Sequence, residues 1–142
     1  MIANKEKNFE KYLSNHFGIV LPSEIEIFYA KGIRVGKDNL RNSKIIGELG
    51  YAACDFGFNP TNAFIMNFGH LATKNIYETT EGLARSFADG HSLKADLGEK
   101  DKFVIVKFQE HVIGLGKYIA AEGKISCEIP EKTRRRMINK LQ

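Results

Sequence analysis

A run of three arginines, Arg134, Arg135 and Arg136, lies near the carboxyl end of the chain. It belongs to residues 124–142, which hold six Lys or Arg against two acidic side chains, whereas residues 1–123 hold fifteen of each sign. A guanidinium group binds phosphate through a planar fork of N–H donors, so this tail is a candidate contact for nucleic acid. The same run is also typical of a solvated helix face, where each cation contributes roughly tenths of a kcal/mol.

A second candidate is the glycine-spaced stretch Gly114-Leu115-Gly116-Lys117. It lacks the Gly-x-x-x-x-Gly-Lys-Ser/Thr spacing of a phosphate loop, and it lies inside a predicted strand rather than between a strand and a helix. Glycines in a strand predict a bend or a bulge. They also expose backbone amides to a ligand, with the Lys117 ammonium group supplying charge beside them. Both interpretations stay open, and the neighbouring Tyr118 is a candidate for base stacking.

The histidines and cysteines form no catalytic or metal-binding motif. The sequence contains no His-Glu-x-x-His, Gly-x-Ser-x-Gly or Cys-x-x-Cys spacing. A cysteine paired in space with a histidine would be a nucleophile in principle, but isolated cysteines are more often small core residues. No glycine-rich strand-to-helix turn with a following acidic residue indicates a dinucleotide or adenosylmethionine. We therefore expect no metal, no cofactor and no stand-alone enzymatic activity. The residues concerned are Cys54, Cys127, His16, His70, His91 and His111.

Composition describes an ordinary folded chain. The 142 residues are 43% hydrophobic and 27% charged, close to the averages of soluble proteins. This length suits one domain or two small modules. No apolar run approaches the ~20 residues of a transmembrane helix, and the amino terminus lacks the apolar segment of a secretion signal. We expect a cytoplasmic protein, whose net charge of +4 gives weak steering toward nucleic acid.

The elements expected before Thr73 form a small α+β module. Apolar residues at helical spacing predict a helix that ends at Gly18, and alternating residues after it predict a hairpin. Glycine-punctuated strands follow, and then a second helix, with Asn59 as its N-cap and Pro60 at its first position. The predicted ranges are helix 5–17, hairpin 24–35, strands 45–58 and helix 60–71.

The elements expected after Thr73 form a small curved sheet or partial barrel. A strand precedes a helix over 80–88, which Asp89-Gly90 closes as a C-cap pair. Three consecutive strands are predicted next, over 102–108, 112–120 and 124–129, because these segments are rich in β-branched and aromatic residues. Pro130 begins a closing helix, so cations of the tail follow directly on the last strand.

This second half resembles a PUA domain, the RNA-binding pseudobarrel named for pseudouridine synthases and archaeosine transglycosylases. The resemblance rests on the segments 74–91, 102–108 and 112–117. More narrowly, Gly114–Lys117, Gly123-Lys124 and Pro130–Arg134 look like the carboxyl-terminal PUA-like domain of Nop/Sun-type rRNA cytosine methyltransferases. The segments 58–61 and 68–69 are similar to that family's pre-PUA helix. The methyltransferase domain, with its cofactor loop and its catalytic cysteines in Pro-Cys contexts, has no counterpart in this sequence.

The resemblance implies a fold class and a function. The fold class is α+β, with an N-terminal α/β pre-PUA module at residues 1–73 and a PUA-like mixed β pseudobarrel at residues 74–142. The function is that of a non-enzymatic protein that binds structured rRNA or tRNA, as an accessory factor in ribosome biogenesis or RNA modification. Partners beyond RNA would be an RNA-modifying enzyme or a pre-ribosomal particle. The implied RNA-binding residues are Gly114, Gly116, Lys117, Lys124, Lys132, Arg134, Arg135, Arg85 and His91.

Two other functions remain compatible with the residues. The chain could be a protein-interaction module whose basic tail docks an acidic partner and anchors an RNA-modifying enzyme. It could also be a small hydrolase or transferase that uses Cys54 or Cys127, although no substrate is indicated.

Overall fold

A computed structural model divides the chain into two units, Met1–Lys74 and Asn75–Gln142. The division falls one residue after the boundary expected at Thr73. The structure describes residues 8–29, 33–37, 51–52 and 59–134, and of residues 26–29, 33–37 and 51–52 it describes the backbone alone. Cys54, Arg135 and most of the strands predicted over 45–58 lie outside the described residues.

The first unit begins with an amphipathic helix, α1. It comprises residues 8–12 and continues into a π-helical turn, Leu13–Phe17. Its apolar face is buried through Phe9, Leu13 and Phe17. The predicted stop at Gly18 is confirmed, since this glycine takes the left-handed conformation, with φ of 68°, and its N–H donates to the Ser14 carbonyl at 3.1 Å.

The predicted hairpin is also confirmed. Strand β1, Ile25–Tyr29, pairs antiparallel with β2, Ile33–Lys37, and Ile27 lies opposite Val35. A short strand, β3, Tyr51–Ala52, adds to the other side of β2. These three strands form the sheet of the first unit.

The second helix of this unit, α2, spans Asn62–Phe68 and is followed by a 3-10 turn, Gly69–Leu71. Its N-cap is Thr61, whose hydroxyl accepts a hydrogen bond from the Phe64 N–H at 3.1 Å. The predicted cap at Asn59 is therefore wrong by two residues. Thr61 has an extended backbone and an oxygen within reach of the first turn, which is the requirement for an N-cap.

The second unit contains a five-stranded sheet with one helix, α3, spanning Glu81–Ala88. The strand order is β4-β6-β7-β8-β5; β4 is parallel to β6, and all other pairs are antiparallel. The sheet curls into a half-barrel, so the predicted α+β class with a curved sheet is confirmed. The strands are β4 Ile76–Glu78, β5 Leu93–Lys94, β6 Lys102–Phe108, β7 His111–Ile119 and β8 Lys124–Cys127.

Two details of this sheet differ from expectation. Strand β5 was not predicted, since two residues carry no periodic pattern. Strand β8 ends at Cys127 rather than at residue 129. After it, Ile129 is buried and a helical turn begins at residues 131–134, as expected from Pro130.

Helix α3 covers one face of the sheet and forms the core of this unit with it. Helix α3 contributes three buried residues, each at most 5% exposed: Ala84, Phe87 and Ala88. The sheet contributes aliphatic and aromatic side chains from four strands. These core residues are Leu93, Val104, Val106, Ile113, Tyr118 and Ile125.

The hairpin of β6 and β7 contains a bulge beside Gly114. Val106 lies opposite Gly114, but the next residue of β6, Lys107, lies opposite Val112, so Ile113 is an extra residue. Such a bulge increases the local twist and bend of the strand. The expected irregularity of the glycine-spaced strand is therefore confirmed.

Candidate nucleic-acid interface

The carboxyl end of α3 is the best-defined polar feature of the second unit. The N–H groups of Asp89, Gly90 and His91 donate to the carbonyls of the last helical turn at 2.9–3.2 Å. Gly90 has φ of +101°, a conformation that L side chains rarely adopt. The predicted Asp89-Gly90 C-cap pair is thus confirmed, and the chain turns sharply away from the helix axis here.

Arg134 is anchored at this helix end, although it lies 45 residues away in the sequence. Its Nη1 donates to the Asp89 carbonyl at 2.9 Å, and its Nε donates to the Ile129 carbonyl at 3.1 Å. The guanidinium group covers Gly90 so closely that a Cβ atom there would overlap Nη1. A cation at this position also interacts favourably with the negative end of the helix dipole.

Two more of the predicted RNA-binding residues flank the same helix end. His91 is exposed, and its Nε2 lies 3.4 Å from the Asp89 carboxylate. Arg85, one turn earlier on α3, is half-exposed and pairs with Glu81 at 3.4 Å. Exposed pairs of this kind contribute roughly 0–1 kcal/mol, so both side chains can exchange their partners for a ligand. We call Arg85, His91 and Arg134 the helix-end cluster.

Lys132 and Arg135 belong to the chain on either side of Arg134. Lys132 is exposed on the helical turn 131–134. Arg135 follows the last described residue, so its predicted role stays a prediction. The helix-end cluster is therefore adjacent in sequence to the remaining basic residues of the tail.

The glycines of β7 occupy the interior of the unit instead. Gly116 is buried, and a Cβ atom on it would overlap the Ile125 Cγ2 methyl group and lie 3.3 Å from Phe87 Cζ. A glycine is therefore required at this position because α3 packs closely on the sheet. Gly114 is buried opposite Val106.

Tyr118, two residues further along β7, is 1% exposed, and its hydroxyl donates to the Gly98 carbonyl at 2.7 Å. This ring offers no open face for stacking on a base.

Lys117 points away from these residues, because side chains alternate between the two faces of a strand. Its Nζ lies 5.6 Å from the centre of the Phe103 ring, which is opposite it on β6. This half-buried cation–π contact places Lys117 on the sheet face that α3 does not cover. The predicted site residues therefore do not form one continuous patch.

Lys124 lies on an open groove between β5 and β8. The groove has a volume of about 760 Å³ and is lined by Ser92, Lys94 and Lys124, among others. Lys94 and Lys124 are direct cross-strand partners, an arrangement of like charges that costs a few tenths of a kcal/mol or more. Two carboxylates of the lining, those of Asp96 and Glu122, offset this charge, and Glu122 lies 3.7 Å from the Lys124 Nζ.

The groove begins close to the helix-end cluster. His91 and Lys94 are three residues apart, so their Cα atoms are separated by at most ~11 Å. The sequence alone did not suggest Lys94, since its proximity to Lys124 depends on the pairing of two strands that are thirty residues apart along the chain.

Cys127 is partly buried and packs against the core of the second unit. Burial raises the pKa of this thiol above its usual value, against smaller opposing effects of a backbone hydrogen bond at Ile129 and the charge of Arg134. A thiol with a raised pKa is a poor nucleophile at neutral pH. Across the described ranges, no three His, Cys, Asp or Glu side chains are grouped so that they could hold a metal ion.

No protein-family model matches this chain, and no curated protein matches it. Among the helices for which the structure describes residues, none is both long enough and apolar enough to cross a membrane.

Proposed function

We propose that this protein is a non-enzymatic RNA-binding protein of the PUA type, and that it contacts structured rRNA or tRNA as an accessory factor in ribosome biogenesis or RNA modification. The observation that carries the proposal is the helix-end cluster. Three residues predicted from the sequence, two arginines and one histidine separated by up to 49 positions, lie around the Asp89-Gly90 turn. Phosphate oxygens are the ligands that such a mixture of guanidinium and imidazole groups suits best.

The charge of the surrounding chain supports the same proposal. Lys132 is exposed beside the cluster, and the basic residues of the tail continue beyond Arg134. The groove with Lys94 and Lys124 begins within a few residues of His91. An RNA backbone that lies on the helix end would therefore meet further cations in both directions along the chain.

A charge-matched comparison tests the proposal. Replacing both Arg85 and Lys132 by Ala removes two positive charges at the proposed site, while replacing Lys11 and Lys100 by Ala removes two exposed positive charges elsewhere. We expect the first variant to bind an RNA hairpin more weakly, as measured by fluorescence anisotropy. The slope of log K against log salt concentration should become shallower by about one for each phosphate contact that is lost. The second variant should bind like the native protein.

Two results would contradict the proposal. One is the absence of RNA binding by the native protein at 50 mM salt. The other is an equal loss of affinity in the two variants, which would mean that net charge alone, without a defined site, attracts the RNA.

A further inference from the structure

Resting on the proposed RNA-binding function, we propose that Arg134 is a preorganised phosphate fork: its guanidinium group, held over Gly90, binds one RNA phosphate through two hydrogen bonds. The neighbouring cations then supply general attraction, while Arg134 sets the position of the backbone. This assigns to one residue of the cluster a role that its neighbours do not share.

The orientation of the guanidinium group is set by two backbone carbonyls. The Asp89 carbonyl belongs to the end of α3, and the Ile129 carbonyl belongs to the chain that follows β8. Both acceptors are parts of the folded backbone, so they hold the group without a flexible side-chain partner. An arginine ordered in this way has lost much of its rotamer entropy on folding, and binding a ligand costs correspondingly less.

Three N–H donors of Arg134 remain for a ligand. The two hydrogen bonds use two of the five N–H donors of the guanidinium group. The other three, including both on Nη2, have no partner among the residues that the structure describes. The nearby Asp89 carboxylate pairs with His91 at 3.4 Å rather than with Arg134. A part-buried guanidinium group with open donors is suited to bidentate contact with phosphate.

The absence of a side chain at Gly90 allows the Arg134 guanidinium group to lie over the end of α3. Any Cβ atom at this position would overlap Nη1 and approach Cζ to 2.9 Å. Gly90→Ala should therefore displace the fork without changing any charge. Arg134→Lys keeps the charge but cannot reach both carbonyls and also offer a planar pair of donors to phosphate.

The test uses these two variants with matched controls in the full chain. Gly82→Ala makes the same substitution on α3 where nothing lies within 4 Å of the added carbon. Arg34→Lys makes the same exchange of cations on β2, in the first unit. We expect Gly90→Ala and Arg134→Lys to weaken binding of an RNA hairpin about tenfold, as the loss of one bidentate contact predicts, and both controls to stay within twofold of the native protein.

A direct measurement accompanies the affinities, because Gly90→Ala could also impair folding. In the native protein, the NMR signal of the Arg134 Nε–H should shift when the RNA hairpin is added. Adding the same volume of buffer without RNA should leave the signal where it was. No shift at saturating RNA would overturn the inference, whatever the variants do.

Failure of this inference can be told from failure of the proposed function. If folded Gly90→Ala and Arg134→Lys bind RNA within twofold of the native protein, while the double Ala variant at Arg85 and Lys132 binds weakly, the fork is wrong and RNA binding stands. If the native protein binds no RNA, both proposals are wrong.

Discussion

Two glycines of the second unit, Gly90 and Gly116, are required for different physical reasons. Gly90 combines a left-handed backbone with the close approach of a guanidinium group, so any side chain is both strained and in contact with Arg134. Gly116 has an ordinary strand conformation, but the space for its side chain is taken by Ile125 and Phe87. The first glycine therefore serves the candidate site, while the second serves the contact of α3 with the sheet.

The role of Gly116 leads to a stability prediction. Gly116→Ala should lower the free energy of unfolding by about 1–3 kcal/mol, since an overpacked core must shift to accept the methyl group. Gly82→Ala is the control, because the added carbon meets open space; it should raise the free energy of unfolding by roughly 0.4–1 kcal/mol. Urea titration followed by circular dichroism measures both. Equal stability of Gly116→Ala and the native protein would refute tight packing at this point.

Helix α3 is the element that joins the core to the candidate site. Its buried stripe, which includes Ala84 and Phe87, fixes it on the sheet. Its start is capped by Thr80, whose hydroxyl accepts a hydrogen bond from the Leu83 N–H at 3.3 Å. Its end carries the Asp89-Gly90 turn and the Arg134 guanidinium group. The position of the helix-end cluster therefore depends on where this eight-residue helix begins and ends.

Two adjacent threonines test the cap. Thr80→Ala should reduce the free energy of unfolding by about 1 kcal/mol, because it leaves an N–H of the first turn without its acceptor. Thr79→Val should be neutral or stabilising, since the Thr79 hydroxyl is buried and has no hydrogen-bond partner among the described residues. Thermal unfolding by calorimetry measures both variants, and the reverse order of stabilities would contradict this account of the helix start.

At the scale of the whole molecule, the charge is distributed very unevenly. The net charge of +4 comes entirely from residues 124–142, because the two signs balance before them. The described part of this tail runs from β8 to Arg134, which docks at the end of α3. Within this described part, Arg134 is the cation that contacts the helix end directly.

Neutralising the end of the tail should weaken RNA binding through general attraction. Replacing Arg135, Arg136 and Lys140 by Gln removes three positive charges beyond Arg134. We expect lower affinity for every RNA tested, together with a shallower salt slope. Gln at Lys5, Lys7 and Lys11 is the charge-matched control and should have the smaller effect. Binding isotherms at 50, 100 and 200 mM salt distinguish the two; a larger loss in the amino-terminal variant would place the RNA elsewhere.

Local patterns were sufficient for most elements. The stop of α1 at Gly18, the hairpin of β1 and β2, helix α3 with its Asp89-Gly90 end and the three long strands all depend on residues close together in sequence. The N-cap of α2 was misplaced by two residues because Asn59 and Thr61 are both suitable cap residues. Only the geometry around Phe64 decides between them.

The sequence by itself determined which residues are cationic, where the charge accumulates and which segments form strands and helices, since these follow from composition and short-range spacing. Only the tertiary structure decided which candidates meet. It placed Arg134 on Gly90, buried Gly116 beneath Phe87 and set Lys94 opposite Lys124. These contacts join segments that are remote along the chain, and they follow from the packing of the sheet and helix as a whole, which no local pattern encodes.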